Sequence, residues 1–355
     1  MTAPEPLTDQ EPQRLLIWGA GAIGGCIGAY LIRAGHDVTF VDVAAAHVQA
    51  IREGGLKIVG PIEEFSVQAP AFTPDELESQ WDTVLLCTKA QDTEAAGKAL
   101  APHLTLAGMV VSVQNGLNPL ILNPILGKER VLGSFVNFGA DYLEPGTVTY
   151  SGRGAVVIGE QGGELTPRAR RMHALLCQFD PNAVLTPNIY GYLWSKLGYG
   201  ALLFATAVTN DGIADALARP EDRELYIELG REVMRVAAAE GVRPEAFNGF
   251  DPAAFVPGAS EAQARASMDE MVSFNRRSAK THSGIWRDLA VRKRRTEVDA
   301  QLALVVEFGQ RLGVPTPITA RLVKQVHELE DGRRELSRNN LDELRGLLPA
   351  AKALT

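Results

Sequence analysis

Gly19, Gly21 and Gly24 stand where a short apolar run, Arg14 to Trp18, gives way to a helical pattern through Ile23, Ile27 and Leu31. No other feature limits the fold as strongly. In a G-x-G-x-x-G between strand and helix, the glycines allow a tight turn, close backbone approach to a pyrophosphate, and packing of the helix on the strand. Ala22 and Ile23 fall in the first helical turn, whose unpaired N–H groups suit a phosphate. Gly35 ends the helical pattern, and Asp37 to Asp42 reads as a second strand rich in β-branched and aromatic residues, completing a βαβ unit. Asp42, at the end of that strand, is placed to accept hydrogen bonds from adenosine ribose hydroxyls. A carboxylate there repels a 2′-phosphate, and no Arg or Lys occurs between Val43 and Ile51 to offset it. NAD(H) is therefore expected, with NADP(H) as the second option.

Further strand candidates follow at Thr83 to Thr88, Met109 to Val113 and Val131 to Phe135, separated by helical or turn-rich stretches. Strands alternating with helices predict an α/β fold with a Rossmann-type doubly wound parallel sheet. From Gly146 to Glu160 the pattern becomes Gly-punctuated alternation through Val148, Tyr150, Val156 and Ile158, which predicts an antiparallel extension closing the first domain near residue 185. Beyond Pro187, helical periods cover Leu193 to Asn210, Glu221 to Glu240, Glu261 to Arg277, Glu297 to Leu312 and Pro317 to Glu330, so the C-terminal domain is expected to be all-α. The resulting division is a tail over 1–13, a dinucleotide-binding domain over 14–185 and a helical substrate and catalytic domain over 186–355. Met1 to Gln13, with three prolines, three carboxylates and no apolar run, reads as a disordered tail, neither signal peptide nor anchor.

A chain of 355 residues exceeds what one core usually supports, which agrees with two domains. Its formal charge of −8 opposes the broad positive field that nucleic acid or an anionic membrane requires, so neither is an expected partner. One basic run, Arg292 to Arg295, reads as the solvated face of a helix. The longest apolar stretch, Tyr199 to Val208, is about half of the roughly 20 residues a spanning helix needs. Cys26, Cys87 and Cys177 lie far apart without C-x-x-C spacing, so neither a disulfide framework nor a zinc or other metal site is indicated. A reducing, cytoplasmic setting fits, and a homodimer is compatible with the sequence.

Two polar clusters end sheet strands, Thr88-Lys89-Ala90-Gln91 and Gln114-Asn115-Gly116. Ligands of open α/β sheets bind at such carboxyl ends, although turn chemistry explains Asn115-Gly116 equally well. Lys196 follows Trp194 in a largely apolar helix, where a shielded ammonium gives up its proton more readily and can act as a general acid. The plainer alternative is a stem that snorkels to water. Glu297 can supply a partner carboxylate, or Thr296-Glu297 can simply open a helix.

Taken together these segments resemble the ketopantoate (2-dehydropantoate 2-) reductase family. The likeness runs from Gly19-Ala20-Gly21-Ala22-Ile23-Gly24-Gly25 through Lys89, Gln114-Asn115-Gly116 and Gly154 to Gly159. It continues through Trp194-Ser195-Lys196-Leu197, Arg295-Thr296-Glu297-Val298-Asp299 and Gly313-Val314-Pro315-Thr316-Pro317. The resemblance implies hydride transfer from a reduced nicotinamide to the ketone of a 2-oxo acid, with protonation of the carbonyl oxygen. By the same resemblance Lys196 matches the catalytic lysine, Glu297 the active-site glutamate, Asn115 an asparagine facing substrate and cofactor, and Lys89 a lysine beside the cofactor. Ser283 matches a substrate-binding serine, and His282, Trp286 and Arg287 are candidates for substrate recognition.

The sequence departs from the family at two places. Members of the pantoate pathway carry asparagines four and eight residues after the catalytic lysine, on one helix face, where this chain has Gly200 and Phe204. A less polar, bulkier 2-oxo acid is therefore expected as substrate. Two competing readings are another lysine-dependent two-domain dehydrogenase, of the 3-hydroxyacid or 6-phosphogluconate dehydrogenase type, and a non-catalytic NAD(H)-binding redox sensor. The Thr296 to Asp299 and Gly313 to Pro317 segments oppose the first, and retention of both Lys196 and Glu297 opposes the second.

Overall fold

The computed structural model describes residues 11–247, 249–277 and 281–349; of the tail expected over 1–13, residues 1–10 lie outside them. Two compact units divide the chain, one of Met1–Gln114 with Asn118–Ile189, the other of Asn115–Leu117 with Tyr190–Thr355.

The first unit opens with β1 (Arg14–Trp18), α1 (Ala22–Arg33), β2 (Asp37–Val41) and α2 (Ala45–Gly54). Then come β3 (Leu56–Val59), β4 (Phe65–Val67), β5 (Ala71–Phe72), β6 (Trp81–Leu86), α3 (Thr93–Leu100), β7 (Leu104–Ser112) and α4 (Asn118–Leu126). It closes with β8 (Val131–Glu144), β9 (Thr147–Gly159), α5 (Pro167–Phe179) and β10 (Val184–Leu185). The sheet order is β4-β3-β9-β8-β7-β6-β1-β2-β5, with β10 on β9.

The unbroken apolar run of β1 follows from its place between two helical layers. Leu15 and Ile17 belong to one buried cluster and Leu16 and Trp18 to another, so successive side chains serve opposite faces. Each such full burial stabilises by about 1.5–3 kcal/mol.

Neighbouring strands from β2 through β1, β6 and β7 to β8 pair in parallel, as expected. The full sheet is mixed, because β8 and β9 form a long antiparallel hairpin and β3 pairs antiparallel with β4. The strand expected over Val131 to Phe135 runs on to Glu144. Register shifts around Gly139 and Tyr142 break the period of two that would have revealed its second half. Burial pushes the Cys26 thiol up to about 12 and raises Cys87 as well, consistent with apolar packing roles.

The second unit contains α6 (Ile189–Ala207), α7 (Ile213–Ala218), α8 (Arg223–Ala239) and α9 (Glu261–Arg276). A short turn, α10 (Gly284–Trp286), runs into a π-helical segment at Arg287–Arg292. A second π-helical segment, Asp299–Ala303, leads into α11 (Leu304–Leu312), followed by α12 (Pro317–Glu330) and α13 (Asn339–Arg345). Helix α6 is apolar on nearly every side, with Leu193, Trp194, Leu197, Leu202 and Phe204 all buried, as a central helix requires. None of the helices among the described residues is long and apolar enough to cross a membrane.

The segment Gly313 to Pro317 is a helix-to-helix junction. Gly313 ends α11 in the left-handed region at φ 68°, and Pro317 opens α12. The amides of that start, which have no partner within the helix, are capped from α8: Glu232 accepts hydrogen bonds from Ile318 N (3.0 Å), Thr319 N (2.7 Å) and Thr319 Oγ1 (2.6 Å).

The basic run corrects an expectation in one respect: Lys293 to Arg295 are exposed, but they lie beyond the end of a helical segment and not on a helix face. Lys293 adopts φ 49° and ends the π-helical segment. Arg292 and Arg294 meet Asp288 at 3.1 and 2.9 Å, and Arg295 meets Glu330 and Asp331 at 2.9 and 2.6 Å.

Candidate active site

In the first unit the glycine turn has the strain and the closeness its composition suggested. Gly19 lies at φ 101°, and a Cβ there would stand 2.8 Å from Thr88 N. At Gly24 a Cβ would fall 2.1 Å from Gly19 O and 2.7 Å from Ile17 Cγ2, so this glycine lets α1 close onto β1. Gly21 differs: a Cβ there would meet nothing within 4 Å, and Ala22 and Ile23 beside it are half-buried. Protein packing accounts for Gly19 and Gly24 but leaves the space over Gly21 open.

Asp42 and His47 hold Ala20 from both sides of its amide groups. Asp42 Oδ2 accepts from Ala20 N at 2.9 Å, and Oδ1 accepts from Ala44 N at 2.9 Å. Buried His47 places Nε2 2.9 Å from Ala20 O, while Nδ1 accepts from Gly146 N at 2.9 Å. A backbone N–H can only donate, so Nδ1 is the acceptor and Nε2 carries the hydrogen of a neutral ring. Sequence reasoning missed His47, because on the buried face of α2 with Val48 and Ile51 it has the pattern of a core residue. Arg52 donates to Ala71 O at 2.7 Å and pairs with Glu76 at 2.6 Å, so its guanidinium is already engaged.

The two strand-end clusters meet through Gln114. Its Nε2 donates to Thr88 Oγ1 at 3.1 Å and to Thr93 Oγ1 at 2.8 Å, and its Oε1 accepts from Ser112 Oγ at 3.1 Å. Lys89, next to Thr88, is exposed and immediately precedes a short 3₁₀ turn.

In the second unit Asn115 Nδ2 donates to Glu297 Oε2 at 3.1 Å, joining residues 182 apart in sequence. Glu297 is buried and stands directly before the helical stretch that starts at Val298 and continues as the π-helical segment from Asp299. Lys196 is half-buried on α6 between fully buried Ser195 and Leu197. Ser195 fixes this stretch, its hydroxyl donating to Gly191 O at 2.8 Å and accepting from Glu245 N at 3.0 Å. One turn on, a Cβ at Gly200 would meet only Gln301 Oε1, at 3.2 Å, so the Gln301 amide stands where a longer side chain would go.

Phe204 does not add apolar surface to that face as expected. Its ring is fully buried. The His282 and Trp286 rings pack with centroids 4.1 Å apart at a tilt of 35°, and both turn toward Asn210: His282 Nε2 lies 3.4 Å from its carbonyl oxygen and Trp286 Nε1 donates to Oδ1 at 3.4 Å. Buried Ser283 caps α10, its hydroxyl accepting from Trp286 N at 3.1 Å.

Comparison with known proteins covers both units. The family profile described as "Ketopantoate reductase PanE/ApbA" matches residues 15–163, and its C-terminal counterpart matches residues 188–330. The 2-dehydropantoate 2-reductase of Archaeoglobus fulgidus is 30% identical over 326 residues, spanning 90% of this chain and 99% of the relative. That of Halobacterium salinarum is 28% identical, spanning 88% and 97%. Among solved structures, a PanE/ApbA family ketopantoate reductase from Ralstonia eutropha superposes with a TM-score of 0.76 at 27% identity, over 90% of this chain and 99% of that one. D-mandelate dehydrogenase in ternary complex with NADH and anilino(oxo)acetate superposes at 0.79 and 23% identity with the same coverage, a likeness of fold.

Proposed function

Because this chain belongs to the ketopantoate reductase family, we propose that it reduces the ketone of a 2-oxo acid with NADH, Lys196 protonating the carbonyl oxygen. The nicotinamide supplies the hydride. The glycine turn with Ala22 and Ile23 receives the pyrophosphate at the start of α1, Asp42 the ribose, and Lys89 and Asn115 the nicotinamide side. Lys196 stabilises the oxyanion as it forms and gives it a proton; Glu297 orients the ammonium or accepts from a substrate hydroxyl. The observation that carries this reading is the buried Glu297 carboxylate engaged by Asn115 at 3.1 Å. Its test is loss of NADH absorbance in the presence of a panel of 2-oxo acids. A chain that binds NADH but oxidises it with none of them is a sensor, and the proposal fails.

NADH is expected to bind at least about tenfold tighter than NADPH, a difference of roughly 1.4 kcal/mol. Asp42 would face the added phosphate, and Arg52 is committed to Glu76. Titration of both cofactors checks this, and equal affinities would remove Asp42 from the ribose site.

For the substrate, Gly200 supports a wider compound than ketopantoate. The loss of one buried hydrogen bond, about 1–3 kcal/mol, sets an expected preference of about tenfold in kcat/KM for aromatic or long-chain 2-oxo acids. Phe204 adds nothing to that figure, since its ring is internal. The comparison should be made in the parent and in Gly200→Asn. A parent that reduces ketopantoate best would mean that the nearby Gln301 amide replaces the missing asparagine.

A further inference from the structure

Arg295 to Asp299 are five consecutive residues with divided tasks. Arg295 reaches Glu330 and Asp331 at 2.9 and 2.6 Å. Thr296 donates from both its backbone N and Oγ1 to Glu330 Oε1, each at 2.7 Å. Val298 is fully buried, and Asp299 Oδ1 lies 2.9 Å from His327 Nε2. Three of the five are thus fastened to the last turn of α12, and Glu297 is the one whose carboxylate goes to Asn115.

Glu330 sits where local preference opposes it. A carboxylate in the last turn of a helix meets the negative end of the dipole, and here its side chain is 1% exposed, so burial disfavours its charge as well. Three hydrogen bonds offset those costs, and two of them end on Thr296. The backbone they hold has no regular helix to support it. One π-helical segment ends at Arg292, Lys293 is left-handed, and another π-helical segment starts at Asp299. Single π turns of this kind are frequent at functional sites.

We propose that Glu330 is a positioning residue of the active site: by gripping the amide and hydroxyl of Thr296 it sets the direction in which the Glu297 carboxylate leaves the backbone. The inference rests on the reductase reading above for its kinetic consequence and on the geometry alone for its structural one. Misplacement of a reacting group by about 1 Å can cost up to about a hundredfold, and a loosened anchor less.

The test uses the full chain with Glu330→Ala, Glu330→Gln, Thr296→Val and Arg295→Ala. Two readouts are followed: steady-state turnover with NADH titration, and hydrogen exchange of the peptide spanning 295–299. Glu330→Ala is expected to lower kcat about 10- to 30-fold with NADH affinity within about twofold, and to speed exchange in that peptide while α6 stays protected. Glu330→Gln, which keeps an acceptor for Thr296, is expected to return kcat to within about threefold of the parent. Thr296→Val should fall between the two, and it serves if Glu330→Ala does not fold. Unchanged turnover and exchange in Glu330→Ala and Thr296→Val would overturn the proposal. So would Arg295→Ala falling as far as Glu330→Ala, since the ion pair would then be the operative contact. If the parent reduces no 2-oxo acid, the reductase reading fails, and faster exchange in Glu330→Ala with recovery in Glu330→Gln still decides for the anchor.

Discussion

Lys196→Ala should lower kcat by about 100- to 10,000-fold, the usual worth of a positioned general acid, while NADH affinity stays within about twofold. Lys196 lies on α6 in the second unit, whereas the glycine turn, Asp42 and His47 belong to the first. Fully buried Ser195 and Leu197 on either side fix the helix, so loss of one half-buried stem should leave the packing of Trp194 and Leu197 intact. Single-turnover reduction at saturating NADH, alongside a titration of the cofactor, separates the two quantities. A variant that loses folding or cofactor binding, with turnover falling only in proportion, would make the lysine a packing residue whose ammonium snorkels to water.

Glu232→Ala should destabilise the helical unit by about 3 kcal/mol. Its carboxylate satisfies the Ile318 and Thr319 amides and the Thr319 hydroxyl at the start of α12, and each buried donor left unpaired costs about 1–3 kcal/mol. Denaturant unfolding followed by fluorescence, with Trp194 as a buried probe in the same unit, measures the loss; a change below about 1 kcal/mol would mean that water or a shifted side chain replaces the cap. The pH dependence has a definite sign. Burial raises the Glu232 carboxyl above its ordinary value, outweighing the three hydrogen bonds that lower it. The native state then holds the proton more tightly than the unfolded chain. This group's contribution is complete below the ordinary glutamate value of about 4.3 and declines as pH rises through the raised one. Glu232→Gln keeps an acceptor without the charge and should remove that decline.

The βαβ start was legible almost to the residue because its signals are local. An unbroken apolar strand, glycines at the turn and a left-handed Gly35 need no distant partner to be read. The helices over Glu261–Arg276 and Pro317–Glu330 were similarly plain, each opened by a capping serine or a first-turn proline. Elements that depend on tertiary pairing were not. Strands β5 and β10 are two residues long, and the far half of β8 is broken by register shifts. From its charges alone the basic run reads as a helix face, whereas Lys293, whose backbone is left-handed, ends the helical segment there. Residue types at the site were visible, but their partnerships were not: Asn115 with Glu297, Thr296 with Glu330 and Ala20 with His47 are side-chain contacts between distant segments, and such contacts have no period.

The grip of Asp42 and His47 on Ala20 also bears on how quickly a dinucleotide can enter. Ordering a residue costs about 1–2 kcal/mol, and here that cost falls on folding of the chain instead of on arrival of the guest. Capture should then be a single bimolecular event. Its observed rate should climb linearly with nucleotide concentration, without the plateau that a slow rearrangement ahead of binding would impose.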